Sequence, residues 1–418
     1  MESFLIGGYD TTEPLKKKAK LMNLGSCTNV RRTTELPEEI MNEEILVRLP
    51  VEDLLRVRCV CKSWESLFFT PDFVQAHFRS TLNKNSVYRD CLVARRGEGF
   101  LLLSRYKETR IEPPVPKVDT FRSSLLVGSV NGLVCLVNQK QFFLWNPIIG
   151  RYIEFTTPPE YSRYSCNVGY TDRYKYLIGF GWDCLKNDYQ VMICYLFAHS
   201  RQGVVYSSNS NSWTKLVIPK FVFPSHVYEE CSSGMEYITP ATIVKDCPYW
   251  CYSIFLPKMR RKYTAIVKFD IRTQKFKLLP EMDYALVRGR NFNFVNVKDS
   301  LAIMVYKARF PNTSVEVYIL HEESGVWNKM FTIGSPQSKL NIWSVLQRPL
   351  QGFKFGGEIV LQSEGKVFCY DPESDEIEGF VGSSNHCHVL QCFGYTASLV
   401  FLRGMKQVQS RTVEKFLV

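Results

Sequence analysis

Residues 36–78 read LPEEIMNEEILVRLPVEDLLRVRCVCKSWESLFFTPDFVQAHF, and they carry the clearest structural signals in the chain. Pro37 and Pro71 suit first helical positions, where the missing N–H costs no hydrogen bond. Thr70 is well placed to cap the helix that begins at Pro71. Pro50 ends the first apolar repeat. The stretch therefore predicts three short helices.

The apolar residues of this stretch give the predicted helices wide hydrophobic faces. The first helix repeats them every four positions, at Met41, Ile45 and Leu49. A second stripe follows along one face at steps of three and four residues: Leu54, Val57, Cys61, Trp64 and Phe68. Three further residues widen that surface: Leu55, Val60 and Leu67. A helix that is apolar on more than one side must be covered on more than one side, so the unit is predicted to dock a helical partner.

The same residues resemble the F-box. The order L-P, an apolar helix, R-L-P-V-x-D-L-L-R-x-R-x-V-C-K-x-W matches at these positions: Leu36, Pro37, Ile45, Leu46, Leu49, Pro50, Leu54, Leu55, Val60, Cys61, Lys62 and Trp64. The resemblance implies docking onto a SKP-type adaptor, and through it onto a cullin, in a ubiquitin ligase. The alternative is an ordinary N-terminal helical bundle that packs on its own body.

The resemblance also implies which residues bind the adaptor or support its binding surface. They are Leu36, Pro37, Ile40, Ile45, Leu46, Leu49, Pro50, Leu54, Leu55, Val60, Cys61 and Trp64.

Composition favours a β-rich body with a binding role. The chain has 418 residues, 45% of them hydrophobic and 14% aromatic, and aromatic residues suit the half-buried surfaces of strands. Its net charge is +11, although residues 36–80 hold five Lys/Arg against eight Asp/Glu. The basic excess thus lies mainly in the body, which favours an acidic protein target. Nucleic-acid binding is not expected, because no dense basic run is interleaved with aromatic residues.

Several features favour an intracellular protein. The fourteen cysteines form no framework, and no apolar run has the character of a signal peptide or a membrane span. We expect reduced thiols and a cytoplasmic or nuclear location. Residues 1–35 are expected to be a disordered basic tail. Its cluster at Lys16, Lys17, Lys18 and Lys20 has a second interpretation as a nuclear import signal.

A degenerate repeat runs through the body. An aromatic or apolar residue ends a strand, a polar turn follows, and an apolar residue stands seven positions after the first. Three copies are clear and two are looser: Trp145 to Tyr152, Phe269 to Phe276, Tyr370 to Ile377, Tyr206 to Trp213, and Leu320 to Trp327. Their starts lie 50 to 63 residues apart. Hairpins at this interval predict four-stranded blades in a closed β-propeller.

We expect about six blades in an α+β chain with a helical N-terminal unit and an all-β body. The strands before Trp145 and the segment Ala397–Leu402 are expected to complete the last blade. A β-sandwich or two separate sheets are the alternatives.

The body resembles the F-box-associated domain of plant F-box proteins, which is kelch-like. The similar segments are G-S-V-N-G-L-V-C at 128–135, L-W-N-P at 144–147, I-G-F-G-W-D at 178–183 and D-Y-Q-V at 188–191. The resemblance implies that this domain recruits a target protein. The boundaries expected are a linker with first strands at 81–120, the associated domain at 121–405 and a tail at 406–418.

No catalytic or cofactor site is expected. The densest metal-type cluster is His386, Cys387, His388 and Cys392, but alternating strand positions place Cys387 opposite both histidines. No second Cys/His pair has the usual zinc spacing. The predicted function is a non-catalytic receptor subunit of a ubiquitin ligase. A binding module outside any ligase, and a propeller lectin or enzyme, are the alternatives, because the fold alone does not fix function.

Overall fold

The computed structural model of the chain describes residues 36–408, with gaps at 84–90, 97–98, 105–107, 115–123, 139–140, 160–175, 198–199, 221, 223–236, 239–240, 257–260, 281, 283, 288–290, 308–313, 334–353, 356–357, 364–365, 372–373, 375 and 380–388. The predictions for 1–35, for Lys16 to Lys20 and for residues 409–418 lie outside the described residues.

The N-terminal unit is helical, as predicted. It consists of a π-helical turn, a 3-10 turn and three α-helices: Ile40–Ile45, Leu46–Arg48, α1 (Val51–Val57), α2 (Lys62–Leu67) and α3 (Pro71–Asn83). Leu49 is extended (φ −73°, ψ 149°) because Pro50 follows it, and this separates the 3-10 turn from α1. The Thr70 hydroxyl accepts a hydrogen bond from the Phe73 N–H at 3.4 Å, so Thr70 caps α3.

The second predicted helix is divided in two. Helix α1 ends at Val57, and Cys61 has extended backbone (φ −154°, ψ 156°) before α2 begins at Lys62. The stripe from Leu54 to Phe68 is therefore not one continuous helix face. The break leaves Cys61 exposed, although the helical spacing placed it in the stripe.

Within its described residues, the body consists of strands and one short helix, α4 (Tyr284–Val287). The strands in chain order are β1 (Cys91–Arg96), β2 (Gly99–Leu103), β3 (Glu108–Ile111), β4 (Ser124–Val130), β5 (Leu133–Asn138), β6 (Gln141–Asn146), β7 (Arg151–Thr156), β8 (Tyr176–Asp183), β9 (Asp188–Phe197), β10 (Ser200–Ser207), β11 (Ser212–Leu216), β12 (Tyr237–Ile238), β13 (Thr242–Val244), β14 (Cys247–Leu256), β15 (Arg261–Asp270), β16 (Lys275–Leu278), β17 (Asn291–Val297), β18 (Ser300–Lys307), β19 (Ser314–His321), β20 (Val326–Ile333), β21 (Lys354–Phe355), β22 (Glu358–Ser363), β23 (Lys366–Asp371), β24 (Glu376–Gly379), β25 (Val389–Tyr395) and β26 (Lys406–Gln407).

These strands form antiparallel sheets that we number in chain order. Sheet 1 has the order β25-β1-β2-β3, and sheet 2 has the order β26-β7-β6-β5-β4. Sheet 3 contains β8 to β11, sheet 4 contains β12 to β16, sheet 5 contains β17 to β20, and sheet 6 contains β21 to β24.

Each sheet packs on the next, and the last packs on the first. Sheets 2 and 3, for example, share a buried cluster that contains Val137 and Val191. Sheets 6 and 1 share another that contains Val360 and Leu92. The body is therefore a closed propeller, and closure leaves no face of a sheet without a neighbour.

All five predicted hairpins are confirmed in register. In each copy the first residue and the residue seven positions later are direct cross-strand partners: Trp145 and Tyr152, Tyr206 and Trp213, Phe269 and Phe276, Leu320 and Trp327, and Tyr370 and Ile377. The repeat is thus the outer hairpin of a blade.

The predicted closure is wrong in its strands. Sheet 1 is closed by β25, which pairs with β1 from Cys91 opposite Tyr395 to Arg96 opposite Val389. Of the strands before Trp145, β1 to β3 lie in sheet 1 with β25, and β4 and β5 lie in sheet 2, whereas the predicted partner segment Ala397–Leu402 is not a strand. The predicted count of about six blades is slightly off, because the strands that close the ring were misassigned. Four sheets consist only of strands that follow one another in sequence, whereas sheets 1 and 2 each include one strand from the end of the body, β25 and β26.

Candidate docking surface

The helical unit does not stand apart from the propeller. Leu54 and Phe68 are completely buried, and they lie in one cluster with Val93 of sheet 1 and Trp145 of sheet 2. At about 25 cal/mol per Å² of apolar area, such burial supplies a large stabilising contribution. One face of the helical unit is thus covered by the chain's own body, which the alternative interpretation of the sequence anticipated.

A second face of the unit remains uncovered. Five large apolar side chains of the unit are exposed. One of them, Leu82, lies near the end of α3 and is 39% exposed. The other four are 53%, 43%, 38% and 65% exposed, and we call them the outer face: Leu36, Ile40, Ile45 and Val60. Several exposed apolar side chains within one small helical unit are typical of an interaction site.

A charge interaction connects the start of the helical unit with the residue that follows Val60. The pKa of the Cys61 thiol is lowered, chiefly by its hydrogen bond with Ser63, and the nearby Glu38 carboxylate acts against that shift. This charge interaction acts between Glu38, at the start of the helical unit, and the segment that contains Cys61.

The twelve predicted adaptor-binding residues fall into three groups. Six are exposed: Leu36, Pro37, Ile40, Ile45, Val60 and Cys61. Three are half-buried: Leu49, Pro50 and Trp64. Three are buried: Leu46, Leu54 and Leu55. Members of the buried group belong to the core shared with the propeller, so they support the surface and do not form it.

The outer face has an acidic margin. Four exposed carboxylates flank its apolar residues along the first helical turns: Glu38, Glu39, Glu43 and Glu44. Glu44 pairs with Arg48 one turn later. The margin makes this surface negative, in contrast to the basic balance of the whole chain.

The role of His77 could not be predicted from the sequence. Its side chain is buried on α3, and Nε2 lies 2.8 Å from the Leu49 carbonyl oxygen. This contact ties α3 to the turn before Pro50, which lies 28 residues earlier in the chain. A lone histidine on an apolar face carries no local signal for such a contact.

No second chemical site emerges from the described part of the chain. No group of three or more His, Cys, Asp or Glu side chains there is arranged to hold a metal ion. His386, Cys387 and His388 lie outside the described residues, and Cys392 is a buried thiol. No helix in the described ranges is long and apolar enough to cross a membrane.

Two family matches agree with this architecture. Residues 33–80 match the F-box-like domain, and residues 104–385 match the F-box associated beta propeller domain. The second match begins before residue 121 and covers most of the chain, so this domain is not confined to the C-terminal part.

Similar proteins come from one plant. An F-box protein of Arabidopsis thaliana is 26% identical over 411 residues, which cover 85% of this chain and 90% of that protein. An F-box/kelch-repeat protein of the same plant is 26% identical over 324 residues, which cover 71% of this chain and 79% of that protein. Among solved structures, the beta-propeller domain of the Trilobed protease from Pyrococcus furiosus has a TM-score of 0.33 at 12% identity, with 61% of this chain and 84% of that one covered.

The propeller body, the helical unit before it and the two family matches together identify the chain as a member of the F-box associated β-propeller family, with an N-terminal F-box-like domain.

Proposed function

We propose that this chain is a substrate-recognition subunit of a SKP–cullin–F-box ubiquitin ligase. The outer face would dock a SKP-type adaptor, and the propeller would recruit a target protein. The observation that carries the proposal is the outer face itself, because four large apolar side chains stay exposed there while Leu54 and Phe68 of the same unit are buried against the body.

The proposed role is that of a receptor without catalysis of its own. Joining a target-binding body to an adaptor-binding unit raises the concentration of the target near the ubiquitin-charged enzyme. The basic body favours an acidic target surface. The proposed place of action is the cytoplasm, the nucleus or both.

Replacing one outer-face residue tests the docking. Val60→Asp introduces a charge at the most exposed residue of the outer face, so it should weaken binding of the chain to a SKP-type adaptor at least about tenfold. Binding is measured by titration calorimetry on the full chain.

The chain contains a matched control for this variant. Val326, at the start of β20, is also an exposed valine, at 51%, and it belongs to the propeller. Val326→Asp should therefore leave the affinity for the adaptor unchanged. Equal affinities for the two variants would reject the outer face as the docking surface. Absence of any complex with the unaltered chain would reject the ligase role.

A further inference from the structure

The segment that follows β25 crosses one end of sheet 2, where the β4–β5 and β6–β7 turns lie. It leaves sheet 1 at Tyr395 and continues to β26, the edge strand of sheet 2. There β26 pairs with β7 through Lys406 opposite Tyr152. The Val408 N–H then donates to the Gly150 carbonyl oxygen at 2.8 Å. We call residues 396–408 the C-terminal strap.

The side-chain amide of Asn146 attaches the strap to sheet 2. This residue is fully buried at the end of β6. Its amide Nδ2 donates to the carbonyl oxygens of Ser398 and Val400 at 2.9 and 3.0 Å. Its Oδ1 accepts from the Tyr395 hydroxyl and from the Ile148 N–H, each at 3.3 Å. The two donor hydrogens of this amide thus bind the strap, and its oxygen binds the end of β25 and the turn after β6.

A second attachment lies at the turn between β4 and β5. The buried Ser398 hydroxyl donates to the Asn131 carbonyl oxygen at 2.7 Å. The neighbouring Gly132 has φ +80°, and a Cβ there would lie 2.1 Å from the Ser398 Oγ. Glycine at this position therefore permits the positive φ of the turn and leaves space for the Ser398 side chain.

The strap also contacts the F-box-like domain. The Phe401 ring lies 5.8 Å from the Phe69 ring, centroid to centroid, in an edge-to-face arrangement with an interplanar angle of 66°. Ala397 and Leu399 are buried in the same cluster as Leu54 of α1. The strap thus lies between the helical unit and the end of sheet 2.

We propose that the C-terminal strap sets the orientation of the F-box-like domain relative to the propeller, with Asn146 as its positioning residue. The inference goes beyond the proposed function, because it concerns the joint between the two parts of the chain and holds for any partner that docks on either of them. Asn146 touches no partner in this scheme and acts only through the strap.

The test compares two buried asparagines of one sheet. Asn146→Ala removes the strap's attachment, whereas Asn138→Ala changes a buried asparagine at the opposite end of the adjacent strand β5. Hydrogen exchange on the full chain should speed up at least about tenfold in residues 396–402 and 62–70 for Asn146→Ala. It should stay unchanged there for Asn138→Ala.

A distance measurement distinguishes positioning from simple loss of stability. Fluorescent labels are placed through Glu65→Cys in α2 and Lys186→Cys in the turn after β8. Every native cysteine is changed to Ser except the five buried ones: Cys91, Cys135, Cys194, Cys251 and Cys392. Both label positions are exposed. The distribution of energy-transfer efficiency should broaden in Asn146→Ala and stay narrow in Asn138→Ala.

Three results would overturn the proposal. One is an unchanged label-distance distribution in Asn146→Ala, and another is the same broadening in both variants. The third result concerns a replacement variant, which is used if Asn146→Ala does not fold. Phe401→Ala then replaces it, since this ring is 42% exposed and its loss leaves the Asn146 hydrogen bonds in place. Unchanged distances in Phe401→Ala would then reject the strap as a positioning element.

Discussion

At the scale of single residues, Asp246 shows how a tight turn can hold an unfavourable charge. Asp246 (φ 61°) and Asp299 (φ 54°) occupy two-residue turns of adjacent sheets, each after a lysine that also has positive φ. Burial, and secondarily the charge of Asp299, raise the pKa of Asp246 to about 6. The carboxylate form is therefore disfavoured in the folded chain.

Asp246→Asn should stabilise the chain at neutral pH. Because the folded pKa lies above the unfolded one, the carboxyl costs nothing below about pH 4, and its cost becomes complete as pH rises through about 6. We expect a gain of about 1 kcal/mol in the free energy of unfolding at pH 7 that shrinks toward pH 4. Urea unfolding at several pH values measures it.

Asp299→Asn is the companion variant. Removing the like charge should lower the pKa of Asp246, so the pH dependence of unfolding should move to lower pH. A gain in Asp246→Asn that is the same at pH 4 and pH 7 would contradict this account of the carboxyl.

The twelve predicted docking residues show what local sequence can and cannot establish. The resemblance to the F-box indicated all twelve without distinguishing their environments, yet Leu54 is buried and Val60 is exposed. Which face is covered depends on sheets 1 and 2, and some of their residues lie more than 300 positions later in the chain. Local pattern contains no information about that contact.

At the scale of elements, the glycines of β8 allow two blades to approach closely. A Cβ on Gly181 would lie 2.2 Å from the Asp246 backbone oxygen, and one on Gly179 would lie 2.7 Å from the Pro248 ring. The sequence G-F-G in this strand thus serves the packing of sheet 3 on sheet 4.

Gly181→Ala should destabilise the fold by about 1–3 kcal/mol, because a backbone oxygen cannot move aside as a flexible side chain can. Thermal and urea unfolding both report the loss. Gly394 in β25 is the control, since a Cβ there would meet nothing within 4 Å. Equal losses in Gly181→Ala and Gly394→Ala would show that close packing is not the cause.

The hairpins could be predicted and the closing strand could not. Each hairpin joins residues seven positions apart, so turn residues such as Asp270 lie within the same short window. The pairing of β1 with β25 joins Cys91 to Tyr395, and no short window contains both. The strap was mistaken for a strand because Ala397–Leu402 is apolar, but that apolarity serves the core shared with the helical unit.

At the scale of the whole molecule, the shared core joins the two family domains into one structure. Phe68 of the helical unit is completely buried in the same cluster as strands of sheets 1 and 2. Unfolding of the helical unit would expose that cluster to water. We therefore expect one cooperative transition for both parts of the chain.

Phe68→Ala should lower the free energy of unfolding by about 3–5 kcal/mol. The far-UV circular dichroism and tryptophan fluorescence transitions should stay coincident in this variant, as in the unaltered chain. Val60→Ala, at an exposed position of the same unit, should change stability by less than about 0.5 kcal/mol. A separate early transition of the helical signal in Phe68→Ala would show that the two domains unfold independently.

The pairing of β1 with β25 also has a consequence for synthesis on the ribosome. The helical unit emerges early, but the strand that closes sheet 1 ends at Tyr395 and the strap at residue 408. At about 5–20 residues per second, roughly 15–65 s separate these events. During that interval Leu54 and Phe68 lack the cover they have in the folded chain. Nascent chains of this protein are therefore expected to need chaperone protection of the F-box-like domain until the last strand has been made.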